Sequence, residues 1–414
     1  VTALLGEEKE RRVALSIMEH LVENYRDNPH AQFALARVAA HAGEPARAKR
    51  AVRQALRIKP GWVEAHLLLA RLQMQQGDTN QALQTLEKVL SAHPENRDLR
   101  LNYAQILVEA RRLDEAHREF ERLVGQAPND ADMLYVVGIL SLQGARLDDA
   151  ERYLKRLVET GQRQLEGYYY LGRIEESRNH SSEAIKWYSK VRHGEFRIDA
   201  RTRIAALLAK GGDIAAGRAL LQKLRADHPN LVVRLYVAEG EILSESGRGE
   251  DAFELYTGAL QKLPGDADLL YARALVAEKL NRLDVLEQDL SDILEYDPDN
   301  AHALNALGYT LANRTTRYQE ALQYIQRALE LNPNDHAVID SMGWVQYRLR
   351  NYEEAVKYLR RALSMSQDPE VAAHLGEVLW VKGDQPAARE VWERALQTDP
   401  SSEAVLEVMK RFQE

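Results

Sequence analysis

A ruler of 34 residues runs through this chain and constrains what it can fold into. Small residues stand at Ala36, Ala70, Ala104, Gly138, Gly172, Ala205, Gly240, Ala274, Gly308, Gly343 and Gly376, at spacings of 33 to 35 residues. Twelve residues after most of them comes a second small residue: Ala48, Ala82, Ala116, Ala150, Ala184, Gly217, Ala252, Ala321, Ala355 and Ala388, with Leu286 breaking the series. A third series closes the units with Pro60, Pro94, Pro128, Pro229, Pro264, Pro298, Pro333 and Pro400. A fixed period of roughly 20–50 residues marks a stacked repeat rather than a set of ordinary domains.

Each series has a mechanical cause. Two antiparallel helices approach closely only where a side chain is a methyl group or absent, so the paired small positions mark crossings of a helix A with a helix B. Proline ends helix B because it lacks an N–H and clashes with the preceding turn. The Asn or Asp that follows, as in Pro128-Asn129-Asp130 and Pro298-Asp299-Asn300, can cap the next helix. Gly77-Asp78, Gly212-Asp213 and Gly383-Asp384 read as the turns between A and B.

The expected organisation is therefore all-α. Residues 1–28 read as an N-terminal helix left over from an upstream repeat, its apolar stripe formed by Val13, Ile17, Leu21 and Tyr25. Residues 29–402 read as eleven helix–turn–helix units in one array. Residues 403–414 read as a capping helix whose Val405, Val408, Met409 and Phe412 cover the last apolar face. Local irregularity is expected at Leu286, at an extra residue around 313–318, and at Gln162, where the proline is missing.

Composition narrows the function. The chain has no Cys, which excludes disulfide scaffolds, cysteine-bearing metal sites and thiol nucleophiles. Its twelve His show no H-E-x-x-H pairing, and no Walker loop, dinucleotide glycine fingerprint or G-x-S-x-G elbow is present. Acidic pairs such as Asp148-Asp149 and Glu353-Glu354 stand at the start of helix B, where a carboxylate favours the positive helix end. No enzyme activity, cofactor or metal is expected. With 55 Lys+Arg against 63 Asp+Glu and no dense basic run, nucleic acid is not an expected partner. Residues 231–300 carry 16 acidic against 6 basic side chains, which reads either as a solvated helix face or as a surface that steers a basic partner.

A small residue at the eighth position, Ala at the twentieth and twenty-seventh, and Pro at the thirty-second resemble the tetratricopeptide repeat (TPR), and the stretch from Pro369 to Ser402 is among the cleanest units. The resemblance implies a right-handed superhelical solenoid with a C-terminal cap and a concave face built from the A helices. In the TPR register, positions 2, 5, 9 and 12 of helix A point to that face. Partner-binding candidates on or beside it are Tyr135, Tyr169, Arg173, Thr202, Tyr271, Asn305, Tyr309, Asp340, Trp344, Tyr347 and Trp380. Large aromatics and Arg supply much of the energy of protein recognition. For Tyr309, Trp344 and Tyr347, exposure in the groove and packing against the next helix are equally open, whereas Tyr168 and Trp392 occupy core positions. The clamp with which some family members hold a C-terminal carboxylate needs Lys and Asn at positions 5 and 9. Phe33/Arg37, Leu67/Arg71 and Leu101/Gln105 do not supply it.

The number of repeats and the run Asp340-Ser341-Met342-Gly343-Trp344-Val345-Gln346-Tyr347 resemble bacterial envelope TPR proteins, above all the Gram-negative outer-membrane lipoproteins that partner a carboxy-terminal processing protease. That resemblance implies a non-catalytic adaptor that binds and promotes a periplasmic serine protease and delivers substrates such as peptidoglycan cross-link hydrolases. It also implies a place at the periplasmic face of the outer membrane, with the only membrane contact through a lipid-bearing Cys upstream of Val1. The chain opens without Met or a signal segment, so a trimmed or mature fragment is expected. The alternatives are an assembly scaffold for envelope or pilus machinery without a protease, in the periplasm or the cytoplasm, and a TPR region cut from a larger enzyme.

Overall fold

The computed structural model describes residues 8–413. Among these residues the secondary structure is helical, with 24 α-helices, one 3-10 turn at Pro229–Leu231 and no strand. The contacts divide the chain into two units after Ala200.

The first unit opens with α1 (Glu8–Asn24), followed by the antiparallel pairs α2/α3 (Pro29–His41, Pro45–Ile58), α4/α5 (Val63–Gln75, Thr79–Ala92) and α6/α7 (Arg97–Glu109, Leu113–Gln126). The pairs α8/α9 (Ala131–Gln143, Leu147–Glu159) and α10/α11 (Gln164–Ser177, Ser181–Ser189) complete it, and the division falls within α12 (Arg197–Lys210). Helix α11 has 9 residues, where the other B helices have 13 or 14. Helix α1 packs on α2 through Ala14, Leu15 and Met18, while Val13, Ile17, Leu21 and Tyr25 are exposed. The apolar stripe read from the sequence is thus exposed, and the neighbouring stripe makes the contact with α2.

The second unit continues with α13 (Ile214–Asp227) and the pairs α14/α15 (Val232–Glu245, Gly249–Lys262) and α16/α17 (Ala267–Lys279, Leu283–Tyr296). After these come α18/α19 (Ala301–Arg314, Tyr318–Leu331), α20/α21 (His336–Arg348, Tyr352–Met365), α22/α23 (Pro369–Lys382, Gln385–Thr398) and α24 (Glu403–Gln413). Val405 and Val408 of α24 are buried and Phe412 lies against Trp380 and Trp392.

The small-residue ruler is the helix-crossing contact. Ala36, Ala70 and Ala104 are fully buried beside Ala48, Ala82 and Ala116. At the glycines the approach is closer still: a Cβ on Gly343 would sit 2.6 Å from Cγ of Leu359, and one on Gly308 2.6 Å from Cγ1 of Ile325. Asn28, Asn96, Asp130, Asp266, Asn300, Asp335 and Asp368 cap A helices by accepting backbone N–H groups in the first turn. Where the extra residue falls, α18 runs on to Arg314 and the Thr315 hydroxyl accepts from Arg317 N at 3.0 Å, closing the turn with a side chain.

Candidate functional site

In the first unit, the aromatic candidates complete the packing between neighbouring A helices. Tyr169 is buried, stacks on Phe196 with ring centroids 4.5 Å apart, and donates its hydroxyl to Asp199. Tyr135 is half-buried beneath the Arg163 guanidinium, 3.9 Å from its centroid, and meets Tyr170 edge-on. Arg163 is held in place by Asp132 at 2.9 Å and Glu166 at 3.2 Å. Arg173 is exposed. Tyr168, placed in the core by the sequence, is half-buried and stacks on Trp187. Its neighbour Tyr169 takes the inward position instead, because Phe196 stands there to receive the ring.

In the second unit the candidates separate into a packed group and an open group. Trp344 is 6% exposed, and its indole stacks on His374 of the next A helix at 4.2 Å. Of the two arrangements that the sequence leaves open for Trp344, the structure has the packed one, with His374 covering a face of the indole. Nδ1 of His374 is 3.0 Å from both carboxylate oxygens of Asp340, and Nε2 is 3.5 Å from the Tyr309 hydroxyl. Tyr347 donates to Glu377 at 3.0 Å, and Glu377 also pairs with Arg411 of α24. Trp380 is half-buried between Trp392 and Phe412. The fully buried Trp392 takes the core position expected of it.

The open group lines two cavities that share Tyr271 and Leu275. The larger, about 940 Å³, runs along α14 and α16, with Val237, Ala272 and Leu275 as apolar surface and Arg234, Glu241, Glu245, Asp268 and Lys279 as charged groups. The smaller, about 210 Å³, is framed by Tyr271, Glu278, Asn305, Tyr309, Asp340 and Glu370. Leu286, the break in the small-residue series, is buried and with Leu290 forms part of the apolar back of this cavity. Burial raises the pKa of Glu278, with Arg314 opposing and Glu370 reinforcing the shift. Burial likewise raises the pKa of Glu241, and Glu245 adds to it. The Tyr271 and Tyr309 phenols are also pushed up, chiefly by burial.

Asp268, Tyr271, Leu275 and Glu278 are positions 2, 5, 9 and 12 of one unit, and Glu370 is position 2 of another. The register locates all of them. The candidate list, mostly aromatic with Arg173, Thr202, Asn305 and Asp340 added, passes over Leu275, Glu278, Glu241 and Glu370 at those same register positions, and over His374, which stands outside them at position 6. Among the described residues no cluster of three His, Asp or Glu side chains could hold a metal ion, and no helix is long and apolar enough to cross a membrane.

Models of the tetratricopeptide repeat match residues 7–72, 73–140, 138–197, 199–231, 271–336 and 341–403. The TPR repeat-containing protein PA4667 of Pseudomonas aeruginosa is 40% identical over 210 residues, covering 51% of this chain and 36% of that protein. The protein CTR9 homolog of Arabidopsis thaliana is 31% identical over 179 residues, 40% of this chain and 16% of that one. The matched regions thus span well under half the length of either relative. Among solved structures, yeast Tom70 aligns at 16% identity with a TM-score of 0.43, covering 97% of this chain and 91% of that chain.

Proposed function

The chain belongs to the tetratricopeptide repeat family, and from that premise we propose that it is a protein-binding scaffold that catalyses nothing itself. The observation that carries this reading is the open pair of cavities in the second unit, lined by side chains from successive A helices. Such a surface offers hydrogen-bond acceptors, aromatic faces and apolar area to a polypeptide.

The finer proposal is an adaptor at the periplasmic face of the outer membrane. One part of the scaffold holds a carboxy-terminal processing serine protease; another holds its substrates, such as peptidoglycan cross-link hydrolases. Tethering both raises their effective concentration without new chemistry. The resemblance of the whole chain to envelope TPR lipoproteins supports this. The test is affinity capture from a Gram-negative envelope extract with the full chain as bait, read by mass spectrometry. Recovery of a serine protease together with a cell-wall hydrolase is expected. Recovery of pilus or secretion components in their place would favour an assembly scaffold and overturn the protease adaptor.

A further inference from the structure

The smaller cavity of the second unit is built from acceptors. Its lining contains four carboxylates, Glu278, Asp340, Asp368 and Glu370, and no Lys or Arg. Two of the four are committed: Asp340 to His374, and Asp368 to the first turn of α22, where it accepts from Glu370 N at 2.9 Å. Glu278 and Glu370 are left facing the space. Arg314 and Lys279 are near enough to favour the charged form of Glu278, yet burial and the charge of Glu370 outweigh them. In the same lining, Oδ1 of Asn305 is buried with no hydrogen-bond donor. A buried acceptor without a donor is costly, and a group that brings N–H donors removes the cost. The rings of Tyr271 and Tyr309 complete the wall, and aromatic faces attract cations.

The cavity is the size of one long side chain, and through Tyr271 and Leu275 it continues into the 940 Å³ groove. That groove is within the roughly 300–1,000 Å³ range of ligand sites and has exposed apolar surface, Leu275 being 41% exposed. Resting on the scaffold reading above, and naming the chemistry of the partner, we propose that this surface docks an extended protein segment by seating one Arg or Lys side chain among Glu278, Asn305, Tyr309 and Glu370. The rest of the segment lies along Leu275 and Ala272, beside the rim carboxylates Glu241 and Asp268. Arg234 and Lys279 stand on the groove wall, so the cation is selected at the cavity end and not throughout the segment. The acidic excess of residues 231–300 thereby gains a use: it steers a basic segment toward the groove.

The probe is a library of degenerate nonapeptides whose central residue is Arg, Lys, citrulline or Glu, bound to the full chain and read by enrichment and fluorescence anisotropy. Central Arg and Lys are expected to be enriched over citrulline, with Glu excluded and with binding that weakens as salt rises. Glu278→Gln combined with Glu370→Gln is expected to lower the affinity of the selected peptides about ten-fold or more, with the helical circular dichroism and melting midpoint retained. The charge-reversing pair Glu278→Lys and Glu370→Lys should instead select central Glu. Equal binding of the Arg and citrulline peptides, or affinity unchanged in the Gln variant, overturns the proposal. If the Gln variant still captures the protease from extract while the library shows no preference for a central cation, the groove chemistry fails and the scaffold reading stands. If the wild-type chain captures no partner at all, it is the scaffold reading that fails.

Discussion

Gly376 of α22 lies directly against the indole of Trp392 of α23, so closely that a Cβ on the glycine would sit 2.0 Å from Nε1 of the ring. The indole is fully buried and donates Nε1–H to Ala373 O at 3.4 Å. The same pairing recurs between Gly172 and Tyr188 and between Gly240 and Tyr256, each glycine opening room for an aromatic side chain sixteen residues on. Gly376→Ala is therefore expected to destabilise the second unit by about 2 kcal/mol or more through overpacking. In a Trp392→Leu background the same substitution should cost clearly less, because the atoms it strikes are gone. A double-mutant cycle in urea that shows simple additivity would contradict this coupling.

Two buried histidines are set for opposite responses to pH. His117 in α7 is depressed below its ordinary value of 6.5, first by burial and then by Arg146. Its Nε2–H donates to Ser141 at 2.8 Å, since the serine hydroxyl is itself given to Val137 O. A depressed folded value means that its contribution is complete above the unfolded value and is lost as pH falls through the folded one. For His374, burial opposes the charged form, but Asp340 outweighs it and Glu370 and Glu377 add to the attraction, so the folded value is raised. Its contribution is complete below about 6.5 and is lost as pH rises through the raised value. Hydrogen exchange across pH 5 to 8 should show α6–α8 opening more readily in acid and α20–α22 opening more readily at the alkaline end (pH values about those of ordinary histidine titration). His117→Gln and His374→Gln should each flatten the response of their own unit only.

At the A-to-B turns other than the one between α18 and α19, one residue adopts a left-handed conformation whatever its identity. Gly77, Gly212 and Gly383 do so with φ of 81°, 96° and 103°, and Ala145 does so with φ of 54°. A non-glycine residue there costs about 1–2 kcal/mol, partly offset by the smaller entropy that it loses on folding. Ala145→Gly should therefore raise stability by about 0.5 kcal/mol, and Gly383→Ala should lower it by about 1 kcal/mol. Thermal midpoints that move together in the two variants would refute the assignment.

Glu239 is wholly buried on α14 and accepts from three side chains of α13: Arg218 at 2.9 Å, Gln222 at 3.0 Å and Arg225 at 2.7 Å. Arg225 also covers the Tyr236 ring at 3.7 Å. Glu239→Ala leaves two guanidinium groups without their acceptor, and a loss of about 3 kcal/mol is expected in chemical denaturation. Glu239→Gln, which keeps the shape and one acceptor oxygen, should lose less. Equal losses in the two variants would show that packing, not charge, is what the glutamate supplies.

The sequence made the fold legible because each part of the repeat has a local cause. Ala70 and Ala82 reveal a helix crossing, Pro128 with Asp130 reveals a helix end and the next helix start, and Gly383 reveals a turn. It was less informative where one geometry tolerates several residues: Ala145 and Arg350 take the same left-handed turn without a glycine to announce it. The binding surface was legible as a register but not as an outcome. Position 9 of helix A holds Leu275, Tyr309 and Trp344 in successive units, yet Leu275 is open and Trp344 is closed.

By itself, then, the sequence determined the helix–turn–helix unit, its period and the face that each A helix turns inward, because those depend on contacts within a unit or across one joint. Which of the inward-facing side chains remain available to a partner was decided only by tertiary structure. His374 covers Trp344, Phe196 covers Tyr169 and Phe412 covers Trp380. His374 comes from α22, Phe412 from α24 and Phe196 from the turn before α12, each a different stretch of chain from the ring that it covers. No such neighbour closes over Leu275, and beside it Glu278 and Asn305 line an open cavity rather than a packed joint.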